Sequence, residues 1–407
     1  MKSHHRTASF IALATACGIC VSAENDFPSI EFRGLIDARL ASTDAERTWL
    51  DGDLGKTRYG DAATPLQLAE ASLIALPHFS WSTSGYLYLK ADPDQVHAVD
   101  IVEAYLAYQP VSTQAYRFRA KLGAFYPPIS LENTGIGWTS PYTLSYSAIN
   151  TWVAEELRGL GAEASLIHKG ELNDVSVVAA LTAANDPAGT LLYRRGWALH
   201  DFKPGLNDTI PLPPRPYATS AASERETPFL EIDERAGYYT GANWRYDDRY
   251  SVHLLYFDNH ADPASREAGE ASWLTQFTSI GTQLEFDHDI TLLAQYMVGD
   301  TLIDIGTRDI KIDYQAAYLL ASKALGKHRF TLRADVFETT HPDPVSSDYS
   351  EHGWAATAAY SYAVAAKQRI FLELLDIDSY RDARADSGGK LNETELQFQI
   401  GYRLFFG

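Results

Sequence analysis

The sequence predicts an all-β chain: a transmembrane antiparallel β-barrel of about sixteen strands, with short periplasmic turns and long external loops. Three observations predict it. The C-terminal segment alternates strictly between apolar and polar residues. Further segments repeat that alternation along most of the chain. The connections between them alternate between tight turns and long polar stretches.

The C-terminal segment is the clearest. In residues 393–407, Leu396, Phe398, Ile400, Tyr402, Leu404 and Phe406 fall on one face. Glu395, Gln397, Gln399, Gly401, Arg403 and Phe405 fall on the other. Strand side chains alternate with period two, so one face is wholly apolar and the other nearly all polar. Such a strand left as an open edge in water invites aggregation. In lipid, where every backbone group must be paired internally, it is what closes a barrel.

The N-terminus predicts export. Lys2 and Arg6 precede a short apolar run, Phe10 to Val21, and Val21-Ser22-Ala23 offers a small-residue cleavage site. Residues 1–23 are therefore expected to be a signal peptide, and 24–407 a single barrel domain. Lipidation at Cys17 or Cys20 is the competing reading of the same leader. Cleavage after Ala23 removes both cysteines, leaving no disulfide, reactive thiol or thiolate metal site.

The strands follow in order. Residues 30–40 set Ile30, Phe32, Ile36 and Leu40 against Glu31, Arg33, Asp37 and Arg39. Residues 115–126 set Tyr116, Phe118 and Leu122 against Arg117, Arg119 and Lys121. Residues 236–246 and 329–337 repeat the pattern, the latter with Phe330, Leu332 and Val336 against Arg329, Arg333 and Asp335. Similar segments lie near 68–76, 84–91, 99–109, 158–168, 174–184, 250–258, 273–286, 290–298, 310–322, 353–363 and 368–376. Mean hydropathy is only −0.22, because alternate residues alone face lipid.

Tight turns are expected at 169–173, 247–249, 287–289, 325–327 and 365–367. Longer stretches lie around 43–65, 127–157, 185–228, 259–271, 300–309, 339–351 and 378–392. Within one of them, Thr209 to Pro216 is a stiff proline-rich segment, readable as a lid or as plain surface loop.

The terminal run Gln399-x-Gly401-x-x-Leu404-x-Phe406 resembles the C-terminal assembly signal of bacterial outer-membrane barrels, although Gly407 follows the aromatic here. The whole plan resembles the sixteen-stranded general porins of Gram-negative outer membranes. That resemblance is one of architecture and terminal signal, and it covers essentially all of the mature chain. It implies localisation in the outer membrane and contact with its lipid and lipopolysaccharide. It also implies assembly by the barrel-assembly machinery, possible homotrimers, and an external loop near 127–157 folded into the lumen. The composition of that loop is apolar and aromatic, as burial against the wall or against a neighbouring subunit requires; insertion is the preferred reading. Its carboxylates, Glu132, Glu155 and Glu156, are the candidate acidic side of a constriction.

Charges cost about 2–4 kcal/mol when they face lipid near the midplane, so alternation sends them inward. Arg33, Arg39, Arg117, Arg119, Lys121, Arg329, Arg333, Arg369 and Arg403 are accordingly the candidate pore-lining cations. Rings of such groups favour anions. Bracing of the wall by pairing with Asp37, Glu163, Asp335 and Glu373 is the alternative.

The expected function is passive diffusion of small hydrophilic solutes or ions through a water-filled, Arg-lined channel. A substrate-selective channel for anionic solutes or oligosaccharides, and a closed barrel acting in surface binding or adhesion, are the alternatives. The formal charge of −19 argues against nucleic-acid partners. No catalytic constellation, cofactor motif or metal-ligand spacing is present, so no enzyme activity, cofactor or metal is expected. His200-Asp201 and Asp287-His288-Asp289 read as loop and turn residues.

Overall fold

In a computed structural model, which describes residues 27–60, 63–213, 224–267, 269–342 and 350–407, the chain is a closed antiparallel barrel of sixteen strands. The signal peptide expected at residues 1–23 lies outside the described residues. The first strands are β1 (Ser29–Thr43), β2 (Ala63–His78), β3 (Thr83–Ala91), β4 (Asp100–Tyr108) and β5 (Tyr116–Phe125). They are followed by β6 (Gly159–Lys169), β7 (Asn173–Ala183), β8 (Gly237–Tyr246), β9 (Tyr250–Asp258) and β10 (Leu274–Phe286). The wall is completed by β11 (Ile290–Asp304), β12 (Asp309–Leu325), β13 (His328–Thr340), β14 (Glu351–Ala365), β15 (Gln368–Arg381) and β16 (Asn392–Phe406).

Each strand pairs with its sequence neighbour, and β16 returns to β1 in the register Gly34↔Phe406 to Thr43↔Gln397. Closure leaves no sheet edge, and in hydrocarbon each unpaired backbone group would cost several kcal/mol. The seam is tight at Gly34: an added Cβ there would sit 2.4 Å from the Ser72 carbonyl oxygen and 2.0 Å from the Phe406 ring.

The alternation sorts by environment as lipid demands. On β13, Leu332 is 66% exposed on the outer face, whereas the next residue, Arg333, is 2% exposed inside. Turns at one rim are mostly short, as at 326–327 and 366–367, and most loops at the other rim are long; the expected long stretch at 300–309 is largely strand, leaving only 305–308 as loop. These external loops are numbered L1 to L8 in chain order.

Three loops pack among themselves against the inner wall. L3 runs from Tyr126 to Arg158, and every residue from Tyr142 to Gly159 is buried. It contains helix α1 (Ala148–Glu156), started by Ser147, whose hydroxyl accepts from the Asn150 amide. All nine residues of α1 are buried, so it has no solvent face and no need of an amphipathic stripe. L4 follows β7, and from Asn185 to Gly205 only Arg194 is not buried. It carries the short helix α2 (Thr190–Arg194). L1 adds Trp49, Leu54, Lys56 and Arg58, all buried.

Candidate functional site: the loop-packed lumen

The lumenal wall holds L3 by polar contacts. The Leu144 and Ser145 amides donate to the Glu373 carboxylate at 2.6 and 2.9 Å. Arg333 reaches the Ser145 and Tyr146 carbonyls at 2.8 and 2.9 Å, Asp335 at 2.7 Å and Glu132 at 3.3 Å. Arg403 donates to the Ser140 carbonyl at 2.7 Å and to Asp37 at 2.7 Å. Loop backbone that strand pairing cannot satisfy is thus satisfied by inward side chains of β13, β15 and β16.

L4 reaches from β7 and β8 across the barrel to the strands on either side of the β1–β16 seam. Lys203 donates to Glu70 of β2 at 2.6 Å, and Asp201 accepts from Arg39 of β1 at 2.8 Å. Across the β1–β16 seam the Trp197 amide donates to Glu351 of β14 at 2.8 Å, and Arg381 of β15 donates to the Tyr193 carbonyl at 2.8 Å. Lys56 of L1 pairs with the same Glu351 and donates to the Trp197 carbonyl at 2.9 Å. Burial pushes the Lys56 ammonium down to about 8, although Glu351 opposes the shift.

L3 and L4 are joined to each other as well. Arg195 grips Glu155 with two bonds of 2.7 Å, and His200 lies 3.0 Å from the same carboxylate. Burial alone would raise the Glu155 carboxyl; Arg195 and His200 outweigh it and hold it down at about 2. Glu156 accepts from the Gly189 and Leu191 amides at 3.0 and 2.9 Å, a carboxylate set at the start of α2. Around these pairs pack Trp152, Trp197, Phe277 and Tyr314, with ring centroids 5.2–6.1 Å apart.

The sequence-predicted site residues divide into three groups. Arg39, Arg333 and Arg403 are buried in ion pairs with Asp37, Asp201, Asp335 and Glu132. Glu132, Glu155 and Glu156 are all 0% exposed and spend their oxygens on L3, L4 and Arg333. The remaining cations sit toward the turn end of the wall. Arg33 pairs with Glu31 at 2.6 Å, and Lys121 with Glu163 at 3.0 Å. Arg329 donates to Ser322 at 3.0 Å and lies over the Tyr142 ring. Arg117 and Arg119 are exposed and Arg369 is half-buried. None of these three makes a hydrogen bond or ion pair among the described residues.

Sequence reasoning missed the part played by L4. His200 and Asp201 look like ordinary loop residues, yet both are buried anchors of the packed loops. In the proline-rich segment, Ile210 and Leu212 are buried with Trp49, Leu191 and Phe202, while residues 214–216 lie outside the described residues. The available signal was apolar density: Leu191-Leu192-Tyr193, Trp197, Leu199 and Phe202 are as apolar a run as any in L3.

No protein-family model matches the chain, and no curated protein matches it in sequence. Solved structures do match it in shape. The outer-membrane channel DcaP of Acinetobacter baumannii aligns at 11% identity and TM-score 0.58, covering 95% of this chain and 100% of that one. The OmpT outer-membrane protein of Vibrio cholerae aligns at 10% identity and TM-score 0.53, covering 94% and 99%. An anion-selective porin from Comamonas acidovorans aligns at 12% identity and TM-score 0.50, covering 93% and 100%. The chain has the fold of the outer-membrane porins, a closed antiparallel barrel of sixteen strands.

Proposed function

We propose that this barrel is an outer-membrane channel for small hydrophilic solutes, favouring anions, whose conductance is set by the packed L3 and L4 loops. The observation that carries this reading is the pair Arg117 and Arg119. They stand exposed on the lumenal face of β5, with no counter-ion among the described residues, while the cations deeper in the loop network are paired. Arg245 adds a further cation near the same rim, its nearest acid, Asp248, being 3.7 Å away. Fixed cations on a narrow wet wall raise the local anion concentration and repel cations.

The burial of Asn185 to Gly205 across the lumen favours a second reading, a closed barrel that acts at the cell surface. One experiment separates the two. Purified, folded protein in a planar bilayer with a KCl gradient should give discrete conductance steps and a reversal potential on the chloride side. A cation-side potential would defeat the anion preference, and a silent bilayer with folded protein would favour the closed barrel. Assembly as a homotrimer fits the row of small residues Ala120, Ala164 and Ala179, which are neighbours across β5, β6 and β7 on the outer face. The mass of the detergent-extracted complex tests it.

A further inference from the structure

We propose that Asp186, Glu231 and Asp233 form a divalent-cation site, of the Ca²⁺ type, that staples the two legs of L4 together. Asp186 lies three residues beyond β7 on the leg that enters L4, and Glu231 and Asp233 lie on the leg that leaves it for β8. Their carboxylate oxygens converge within 4.8 Å of one another. The site belongs to a different part of the loop from the anchors that hold L4 to the wall.

Backbone amides position the carboxylates and leave two of their oxygens without a hydrogen-bond partner. Asp186 Oδ2 accepts from the Ile232 and Asp233 amides at 2.6 and 3.2 Å, while its Oδ1 is buried with no partner. Glu231 Oε2 accepts from the Ala184 amide at 2.8 Å, and its Oε1 is likewise buried and unpartnered. Asp233 accepts from the Arg235 amide at 2.8 Å on one oxygen and from the Asp262 amide on the other. Each of those oxygens keeps a second lone pair.

Charge points to a cation. Asp186 is 1% exposed, and none of the three carboxylates forms an ion pair with Lys, Arg or His among the described residues. The nearby Arg235 turns to Asp262 instead, at 2.9 Å. Three converging carboxylates, two of them with a buried unpartnered oxygen, lack a counter-charge. An all-oxygen donor set is hard, and it suits Ca²⁺ or Mg²⁺ rather than a thiolate- or imidazole-seeking metal. Ca²⁺ is favoured because its coordination tolerates irregular geometry and is completed by water.

The consequence is mechanical. The buried stretch of L4 begins at the cluster itself, so an ion here fixes the base of the loop that fills the lumen. The effect on conductance rests on the channel reading above; the binding site does not.

The test uses refolded protein free of lipopolysaccharide, titrated with Tb³⁺ under tryptophan excitation. The Trp273 amide donates to the Asp186 carbonyl at 2.8 Å, which brings an indole into sensitising range. One saturable site per chain, displaced by Ca²⁺, is expected. Its affinity should fall at least tenfold in Asp186→Asn and in Glu231→Gln, two variants that keep the side-chain volume. Calcium should also slow hydrogen exchange at the Ile232 and Asp233 amides in the wild type. Absence of saturable luminescence in the wild type, or unchanged affinity in a variant that folds, would overturn the site. Normal Ca²⁺ binding with conductance indifferent to Ca²⁺ would leave the site standing and remove its effect on the channel.

Discussion

Glu155→Gln is the sharpest single perturbation of the packed lumen. The wild-type carboxylate takes two charge-assisted bonds from Arg195 and faces His200, and all three side chains are at most 2% exposed. Removing one partner of a buried pair strands the other charge, typically at about 3–5 kcal/mol. Glutamine keeps one acceptor oxygen for Arg195, so the lower end, about 3 kcal/mol, is the better estimate. The cost falls on docking of L4 against L3, because both partners are loop residues and no strand ladder is touched. At 1.4 kcal/mol per tenfold, about 3 kcal/mol shifts the docked-to-undocked equilibrium by about a hundredfold. Single-channel recording should therefore show open events far more often in the variant. Its unboiled migration in SDS should stay that of a folded barrel. Unchanged open probability together with loss of barrel stability would mean that this pair braces the wall and does not control the loop.

The remaining predictions concern charge, closure and pH. Replacing both Arg117 and Arg119 by Glu should move the reversal potential toward cations at 0.1 M salt, where the screening length is about 10 Å; the shift should shrink at 1 M, where it is about 3 Å. Stability should change little, since both side chains are exposed; an unchanged ion preference in the folded double variant would remove these residues from the conduction path. Gly34→Leu should block assembly, because its Cβ would meet the Ser72 carbonyl and Phe406 at the β1–β16 seam; normal heat-modifiable migration would show that the seam can adjust. The folded Glu155 carboxyl lies at about 2, below the unfolded value of about 4.3, so its stabilisation is full above pH about 4.3 and is lost as pH falls toward 2. The difference in open probability between wild type and Glu155→Gln should accordingly hold from pH 7 to about 5 and then close; a difference flat to pH 2 would contradict the paired carboxylate.

The wall was legible because lipid imposes a strict rule on it. Leu332 and Arg333 are neighbours in sequence and opposites in environment, and period two alone tells them apart. Loop sorting was legible for a similar reason, since a tight turn and a long insertion differ in length and not in subtle chemistry. L4 was harder. Its buried stretch has no period, and Arg195, Asp201 and Lys203 give it the composition of a wet loop. Those charges tolerate burial only through partners far away in sequence, Arg195 with Glu155, Asp201 with Arg39 and Lys203 with Glu70. The Asp186, Glu231 and Asp233 cluster follows no short motif either, because the entire loop separates its two legs.

Removal of Ala188 to Leu212, joining Pro187 to Pro213, tests most directly whether L4 limits passage. The barrel ladder does not include these residues, so the shortened chain should still fold and migrate anomalously when unboiled. Its single-channel conductance in 1 M KCl should rise severalfold above that of the full chain, with longer open times. A full-length protein that already conducts at the level of the shortened one would show that the packed loop leaves the channel open, and would contradict control by L4.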